Sequence, residues 1–407
     1  MSASTPSPDS HPGSALSAVR QPILDLPKSG ILDVVDYARG RDDILALWFG
    51  EGDLPTPSFI CDGASRAMAE GHTFYTWQRG IPPLRDALSS YLGRLHAQPV
   101  PVDRITVTTS GMAAIMITMT ALVGPGDGVA VVSPVWPNVF AAAEIAGARV
   151  TSIPAEREPS GHWTLDLDRL FAACDADPSI KAIFLNSPCN PTGWVCPAAD
   201  IARLLDYARR RGLWIIADEV YGRFTYDTVS GSPAATAPSF LDIADPEDRL
   251  IVVNTFSKNW CMTGWRIGWM VTPASLGPTL EKLVQFSTSG TAPFLQYGAL
   301  TALCDGEDFF QDLLARCAAA RHTVVDTLAG LPSVDLAAPM GGFYAFFRVA
   351  GEPDSARLAK RLIDDAGVGL APGVAFGPGG EDYLRLCFAG SPDLVARATK
   401  RLADALS

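Results

Sequence analysis

Seven short apolar, mostly β-branched runs recur through the middle of the chain, at 105–109, 129–133, 149–153, 182–186, 214–217, 251–255 and 266–271. Several are continuously apolar rather than alternating, and a strand carries that composition only where both of its faces are covered. Between them lie stretches with helical spacing, among them Gly111 to Val123 and Pro197 to Arg211. The alternation predicts an α/β fold whose large domain is a seven-stranded, mostly parallel sheet covered by helices. After Pro273 the pattern changes to longer helical stretches, Leu276 to Phe286 and Phe309 to Leu331. Short strands follow at 342–349 and 383–388, and a last helix runs from Pro392 to Leu406. A smaller α+β domain, formed by N- and C-terminal segments, is expected there. The expected division is a disordered tail over 1–22, an N-terminal segment of the small domain over 23–65, the large domain over 66–290, and an interdomain helix with the small C-terminal domain over 291–407.

Charge narrows the partners. Lys and Arg number 32 against 44 Asp and Glu, a formal net charge of -12, which disfavours nucleic acid and anionic membrane. The longest apolar run, 111–123, is too short to span a bilayer, and the Ser- and Pro-rich opening residues lack a secretory leader pattern. A cytoplasmic location is expected. The eight cysteines form no C-x-x-C pair and no histidine stands at metal-ligand spacing, so they read as buried reduced thiols and no metal is expected.

The segment from Asn254 to Trp269 places Lys258 just beyond an apolar strand and Arg266 eight residues later. A lysine at the carboxyl end of a strand faces the ligand side of an open α/β sheet, and burial or a nearby cation leaves its amine partly neutral and nucleophilic toward an aldehyde. Arg266 offers a planar fork for a phosphate, with the hydroxyls of Thr255 and Ser257 beside it. An isolated Lys and Arg at this spacing is far more often an unrelated surface pair. Asp218 ends another apolar strand with Tyr221 three residues on; a buried carboxylate beside a pyridine nitrogen keeps that ring protonated, although Asp218 alone reads equally as a helix cap. Asn190, in Asn-Pro-Thr-Gly, follows a further strand and can reach the same ring oxygen as Tyr221; the tetrapeptide is also a common turn. Ser110, Gly111 and Met112 join a strand to an apolar helix, which makes an anion site of their amides or a plain capping turn. Trp136 could stack on an aromatic ligand or sit in the core.

Together these segments resemble the fold type I pyridoxal-phosphate enzymes, specifically the class I/II aminotransferase family. The motifs that carry the resemblance are FGEGDLPTP (49–57), YTWQRGIPPLRDAL (75–88), TTSGM (108–112), SPVWPN (133–138), NPTG (190–193), ADEVY (217–221), SKNWCMTGWRIGW (257–269), APGVAFG (371–377) and YLRLCFA (383–389). The resemblance implies that pyridoxal 5'-phosphate is held covalently by Lys258, with Asp218 on the pyridine nitrogen and Tyr221 and Asn190 on the ring oxygen. It also implies Trp136 against the ring, and the phosphate on the Ser110, Gly111 and Met112 amides, Thr255 or Ser257, and Arg266. Tyr75 looks like the family tyrosine that reaches the neighbouring subunit's phosphate, which implies a homodimer with composite sites. Arg385 resembles the arginine that forks onto the substrate α-carboxylate, near Gly50 and Asn190. Lys258, Asp218 and Tyr221 would then be the catalytic residues.

The implied reaction is ping-pong transfer of an amino group between an L-amino acid and a 2-oxo acid. Some acid-specific relatives carry a lysine where Met112 stands; Met112 cannot pair with a second carboxylate, and segment 285–297 holds no cation either. A neutral or aromatic donor is therefore expected. The alternatives are a carbon–sulfur lyase or synthase on the same scaffold, and a non-catalytic ligand sensor, which the lack of a basic N-terminal domain disfavours. The family's turn geometry further implies cis peptides before Pro191 and Pro134.

Overall fold

The structure, a computed structural model, describes residues 15–96, 98–158, 161–226 and 236–407. Its central sheet has seven strands: β1 (Ile105–Thr108), β2 (Gly128–Ser133), β3 (Arg149–Pro154), β4 (Ile180–Asn186), β5 (Trp214–Asp218), β6 (Leu250–Thr255) and β7 (Gly268–Val271). All seven apolar runs of the sequence are in it. The order across the sheet is β1-β7-β6-β5-β4-β2-β3, and only β7 runs antiparallel to its neighbours. Side chains alternate between two cores: Ile183, Leu185, Ile215, Ala217 and Val252 enter one, while Phe184, Ile216, Ile251 and Val253 enter the other. Both faces are therefore dry, which is why the strands read as unbroken apolar runs.

A second sheet is antiparallel, with β8 (Val334–Leu336), β9 (Tyr344–Val349), β10 (Ala371–Pro372) and β11 (Tyr383–Cys387) in the order β8-β9-β11-β10. The N-terminal segment forms a separate two-stranded sheet, with Leu45 and Ala46 pairing in parallel with Val368 and Gly369. Six helices matter for the site and its surroundings: α1 (Gly30–Tyr37), α2 (Gly111–Leu122), α3 (Asn138–Ala146), α4 (Phe256–Asn259), α5 (Pro293–Asp305) and α6 (Glu307–Leu328).

Three expectations need correction. The helical stretch placed at Phe309 to Leu331 starts earlier, and α5 precedes it, separated by Gly306. Helix α5 packs against helices Ser58–Ala69 and Pro82–Leu95 and carries apolar residues on several sides, so no amphipathic stripe marks it. Residues 15–22 are not a featureless tail: Ala15–Ala18 form a 3-10 turn, a short helix spans Gln21–Leu24 with Pro22 in its first turn, and Arg20 donates to the Ile145 carbonyl at 3.2 Å. The rest of the expected disordered tail, 1–14, lies outside the described residues. Finally, the cysteines are unpaired but not uniformly buried, since Cys304 is exposed.

Candidate active site

The candidate side chains come from remote parts of the sequence and meet because of strand direction. Parallel β4, β5 and β6 all point their carboxyl ends at one edge of the sheet, which delivers Asn186, Asp218 and Thr255 there in adjacent strands. Strand β7 runs the other way, so its first residue lies at the same edge, with Gly268 opposite both Thr108 of β1 and Thr255 of β6. Arg266, two residues before it, arrives there with a left-handed backbone at φ 53°. A glycine is required at 268, since a Cβ there would lie 2.7 Å from the Gly111 nitrogen and from the Asn254 oxygen.

These ends line a cavity of about 360 Å³. Lys258, in the single turn α4 that follows β6, projects its amine into it and donates to the Gly50 main-chain oxygen at 2.9 Å. Burial lowers the amine to about 8, and the nearby Arg385 and Arg266 guanidiniums act in the same direction, partly opposed by Cys387 and Glu51. Asp218 is buried, and that burial raises its carboxyl to about 7 despite the Val220 amide, which donates to it at 3.3 Å, and the charge of Lys258. Asn186 accepts from the Asn190 amide at 2.8 Å and donates to the Asp218 carbonyl at 2.9 Å, which fixes the two loops to each other.

Arg385, from the centre of β11, is buried and sandwiched between the rings of Tyr344 and Phe376, with its guanidinium carbon 4.6 Å and 4.8 Å from their centroids. It donates to the Asn190 Oδ1 at 2.9 Å and to the Trp48 carbonyl. That contact orients the Asn190 amide so that its NH₂ end remains for a ligand. The Tyr221 hydroxyl lies 2.7 Å from the Tyr344 hydroxyl.

The Ser110 hydroxyl caps α2 by accepting from the Ala113 amide at 2.9 Å. The first-turn amides of Gly111 and Met112 have no carbonyl one turn back and open toward the cavity, as an anion site requires. Thr255 and Ser257 stand beside them with their hydroxyl oxygens 2.9 Å apart.

All the site residues expected from sequence line this cavity except Ser110 and Tyr75. Ser110 is tied up as the cap. Tyr75 is 94% exposed and borders a separate hollow with Thr73, Phe74 and residues 288–294, so a single chain does not bring it to Lys258. The cavity also contains residues that sequence reading passed over: Ile31 of α1, Phe49, Ile115, Asn138, Asn186 and Tyr344. Asn186 had a usable signal, a polar residue closing a strand that is otherwise almost wholly apolar; Tyr344 had none, being one aromatic in an apolar run. The peptides before Pro134, Pro188 and Pro191 are cis, the middle one unanticipated.

The sequence profile described as aminotransferase class I and II matches residues 46–402. The chain belongs to that family. This aminotransferase is 32% identical over 381 residues to the aspartate aminotransferase of Musicola paradisiaca, covering 93% of each chain. Among solved structures, a Thermus thermophilus aspartate aminotransferase variant superposes with a TM-score of 0.86 at 29% identity, covering 95% of this chain and 99% of that one. The aromatic aminotransferase of Pyrococcus horikoshii superposes at 0.82 with 28% identity, covering 92% and 98%. The enzyme is a pyridoxal-phosphate-dependent transaminase, and the transaminase names of its relatives favour transfer over the lyase alternative. The residues present fit the cofactor. Asp218 is a buried acid, the first turn of α2 offers free amides to an anion, and an amine of lowered basicity stands in the same cavity. The Arg385 Nε is buried and, among the described residues, has no hydrogen-bond partner, which suits a carboxylate arriving with the substrate. Among the described residues no helix is long and apolar enough to cross a membrane.

Proposed function

We propose that this transaminase takes a neutral or aromatic L-amino acid as donor and passes its amino group to a 2-oxo acid, with Lys258, Asp218 and Tyr221 as the catalytic residues. Pyridoxal phosphate supplies an aldehyde carbon that takes up the amino group and a cationic ring that accepts the electron pair of the broken Cα–H bond. Lys258 would hold the cofactor through Nζ and, with that amine free, would carry the Cα proton to the carbon that takes up the amino group; an amine near 8 is partly neutral at physiological pH and can do this. Asp218 keeps the ring nitrogen protonated. Tyr221 and the Asn190 NH₂ would donate to the ring oxygen, and Trp136 would lie against the ring. The Gly111 and Met112 amides hold the phosphate with that of Ser110, the Thr255 and Ser257 hydroxyls and Arg266. Arg385 receives the substrate α-carboxylate, assisted by Gly50 and Asn190.

The observation that carries the donor class is the apolar share of the cavity wall. Ile31, Phe49, Met112, Ile115 and Trp136 line it, and the three cations of the cavity, Lys258, Arg266 and Arg385, each have a role above. A second substrate carboxylate would meet no free cation there and would lose its hydration. The relatives named for aspartate therefore guide the reaction type and not the donor. A half-reaction screen tests this: with single amino acids, phenylalanine, tyrosine or leucine should bleach the holoenzyme absorbance faster than aspartate or glutamate. A preference for either dicarboxylate overturns it.

We further infer a cytoplasmic homodimer in which Tyr75 of one copy completes the phosphate site of the other. Phe74, Tyr75 and Trp77 are 81%, 94% and 65% exposed in one chain, a concentration of aromatic surface that supports burial against a second copy. Unpaired cysteines support the reducing compartment. Residues 66–290 are proposed as the cofactor-binding domain, with 23–65 and 291–407 contributing the smaller one. Sedimentation giving a monomer with full activity would reject the composite site.

A further inference from the structure

We propose that Tyr344 is a positioning residue of this reaction: its hydroxyl donates to the Tyr221 oxygen, which turns the Tyr221 proton into the cavity, while its ring braces the Arg385 guanidinium. The inference rests on the roles proposed above for Tyr221 and Arg385.

Strand register sets the position of Tyr344. Tyr344 opens β9 opposite Cys387, and Phe346 lies opposite Arg385, so Tyr344 and Arg385 are diagonal neighbours on one face of the second sheet. That diagonal puts the phenol ring 4.6 Å under the guanidinium carbon. The same ring meets Tyr221 edge-on at 5.5 Å between centroids, and the two hydroxyls are 2.7 Å apart. The hydroxyl also sits 2.3 Å from where a Cβ on Gly50 would be, so it fills the space beside the carbonyl that Lys258 binds. One fully buried side chain thus touches three parts of the site.

Direction of the hydroxyl pair follows from bookkeeping of donors. Each phenol has one proton, and burial holds both well above the usual tyrosine range, so both are protonated at neutral pH. Among the described residues the Tyr344 hydroxyl makes its hydrogen bond with the Tyr221 hydroxyl. By distance either hydroxyl could donate; with the Tyr221 proton given to the ring oxygen as proposed above, Tyr344 is left with the Tyr221 oxygen as its acceptor, and a buried hydroxyl without one is costly. Accepting a hydrogen bond also makes Tyr221 the stronger donor. The charged or titratable groups facing this pair are Arg385 and Cys387 from β11, Glu51 from the N-terminal segment, Asp218 from β5 and Lys258 from α4. Replacing Tyr344 by Phe removes none of them.

The test is a spectral pH titration of the holoenzyme. A proton donated to the ring oxygen stabilises its anion, so a weaker Tyr221 donor raises the pH at which the lysine–cofactor linkage loses its proton. Tyr344→Phe should raise that midpoint by roughly half a unit, the size of a modest hydrogen bond. It should lower kcat by about 3- to 10-fold with little change in KM, because a phenyl ring still braces Arg385. Tyr344→Ala should in addition raise KM for the amino acid by about 10-fold. Placing 3-fluorotyrosine at 344 keeps the packing, strengthens the donor and should move the midpoint down. In a Tyr221→Phe background, Tyr344→Phe should add no further shift. An unchanged midpoint in both the Phe and fluorotyrosine proteins, or an equal shift without the Tyr221 hydroxyl, overturns the proposal. Failure of the underlying site reading would show differently, as a wild-type protein without a titrating cofactor band.

Discussion

Lys258 and Gly50, 208 residues apart, meet through a 2.9 Å hydrogen bond from the lysine amine to the main-chain oxygen. The bond ties α4, just past the end of β6, to the N-terminal segment whose Leu45 and Ala46 pair with Val368 and Gly369. It also holds the amine in the cavity that Asp218 and Arg385 line. The amine is therefore aimed before any ligand arrives, and its reduced basicity suits both a covalent link and proton transfer.

Removing that amine should end the reaction. Lys258→Ala is expected to lose turnover by at least about 10³-fold, since the covalent anchor and the proton carrier are lost together. Borohydride reduction followed by peptide mass analysis should mark residue 258 in the wild type and nothing in the variant. A variant that turned over at the wild-type rate would remove the basis for every role assigned here.

Arg385 offers a second check, on geometry rather than charge. Its fork is fixed by Asn190, Trp48 and two aromatic rings, and a lysine keeps the charge but cannot reproduce the plane. Arg385→Lys should reduce kcat/KM by roughly 10- to 100-fold, the worth of one charge-assisted hydrogen bond, chiefly through KM. An analogue lacking the α-carboxylate should be insensitive to the change. Equal losses for both ligands would mean that Arg385 acts on the fold and not on the substrate.

The extent to which this site was readable beforehand follows from where each residue sits. Strand ends announce themselves: Asp218 and Lys258 are polar residues directly after apolar runs, and parallel strands must gather their ends at one edge. Arg266 was readable through its motif, while the reason it arrives at that edge, the reversal of β7, is a matter of topology that no local pattern reports. Tyr344 was hidden because an aromatic in an apolar run looks like core, and most of its ring is. Ile31 and Phe49 were hidden because nothing local marks a wall residue contributed by a separate segment. Tyr75 is the opposite case: its motif marks it, yet one chain leaves it in solvent.

Burial of Asp218 gives a pH signature in the cofactor-free protein. Its carboxyl is raised to about 7 in the fold, against about 3.9 in an unfolded chain. Between those values the folded form keeps a proton that the unfolded form has shed, so this residue's contribution to stability falls as pH rises from about 4 to about 7 and is level above. Asp218→Asn removes the effect. The variant's stability relative to wild type, from urea midpoints, should increase across that window by on the order of 2–4 kcal/mol. Glu219, also buried and raised to about 7, titrates in both proteins and cancels in the difference. Parallel curves would show that Asp218 ionises without penalty.

The apolar wall can be challenged by adding the cation it lacks. Met112 lines the cavity in the first turn of α2, next to the amides proposed to hold the phosphate. Met112→Lys should raise kcat/KM for aspartate relative to that for phenylalanine by about 10-fold through a charge-assisted contact to the second carboxylate. Two effects work against it. A cation at a helix N-terminus opposes the dipole by about 0.3–1 kcal/mol, and a further positive charge near Lys258 lowers its amine again. Both reduce activity with every donor alike, whereas the new contact acts on dicarboxylates only. The measurement is therefore the ratio of kcat/KM for aspartate to that for phenylalanine, which should rise even if both rates fall. A ratio that stays constant would place the donor side chain away from Met112 and withdraw the argument for an apolar donor.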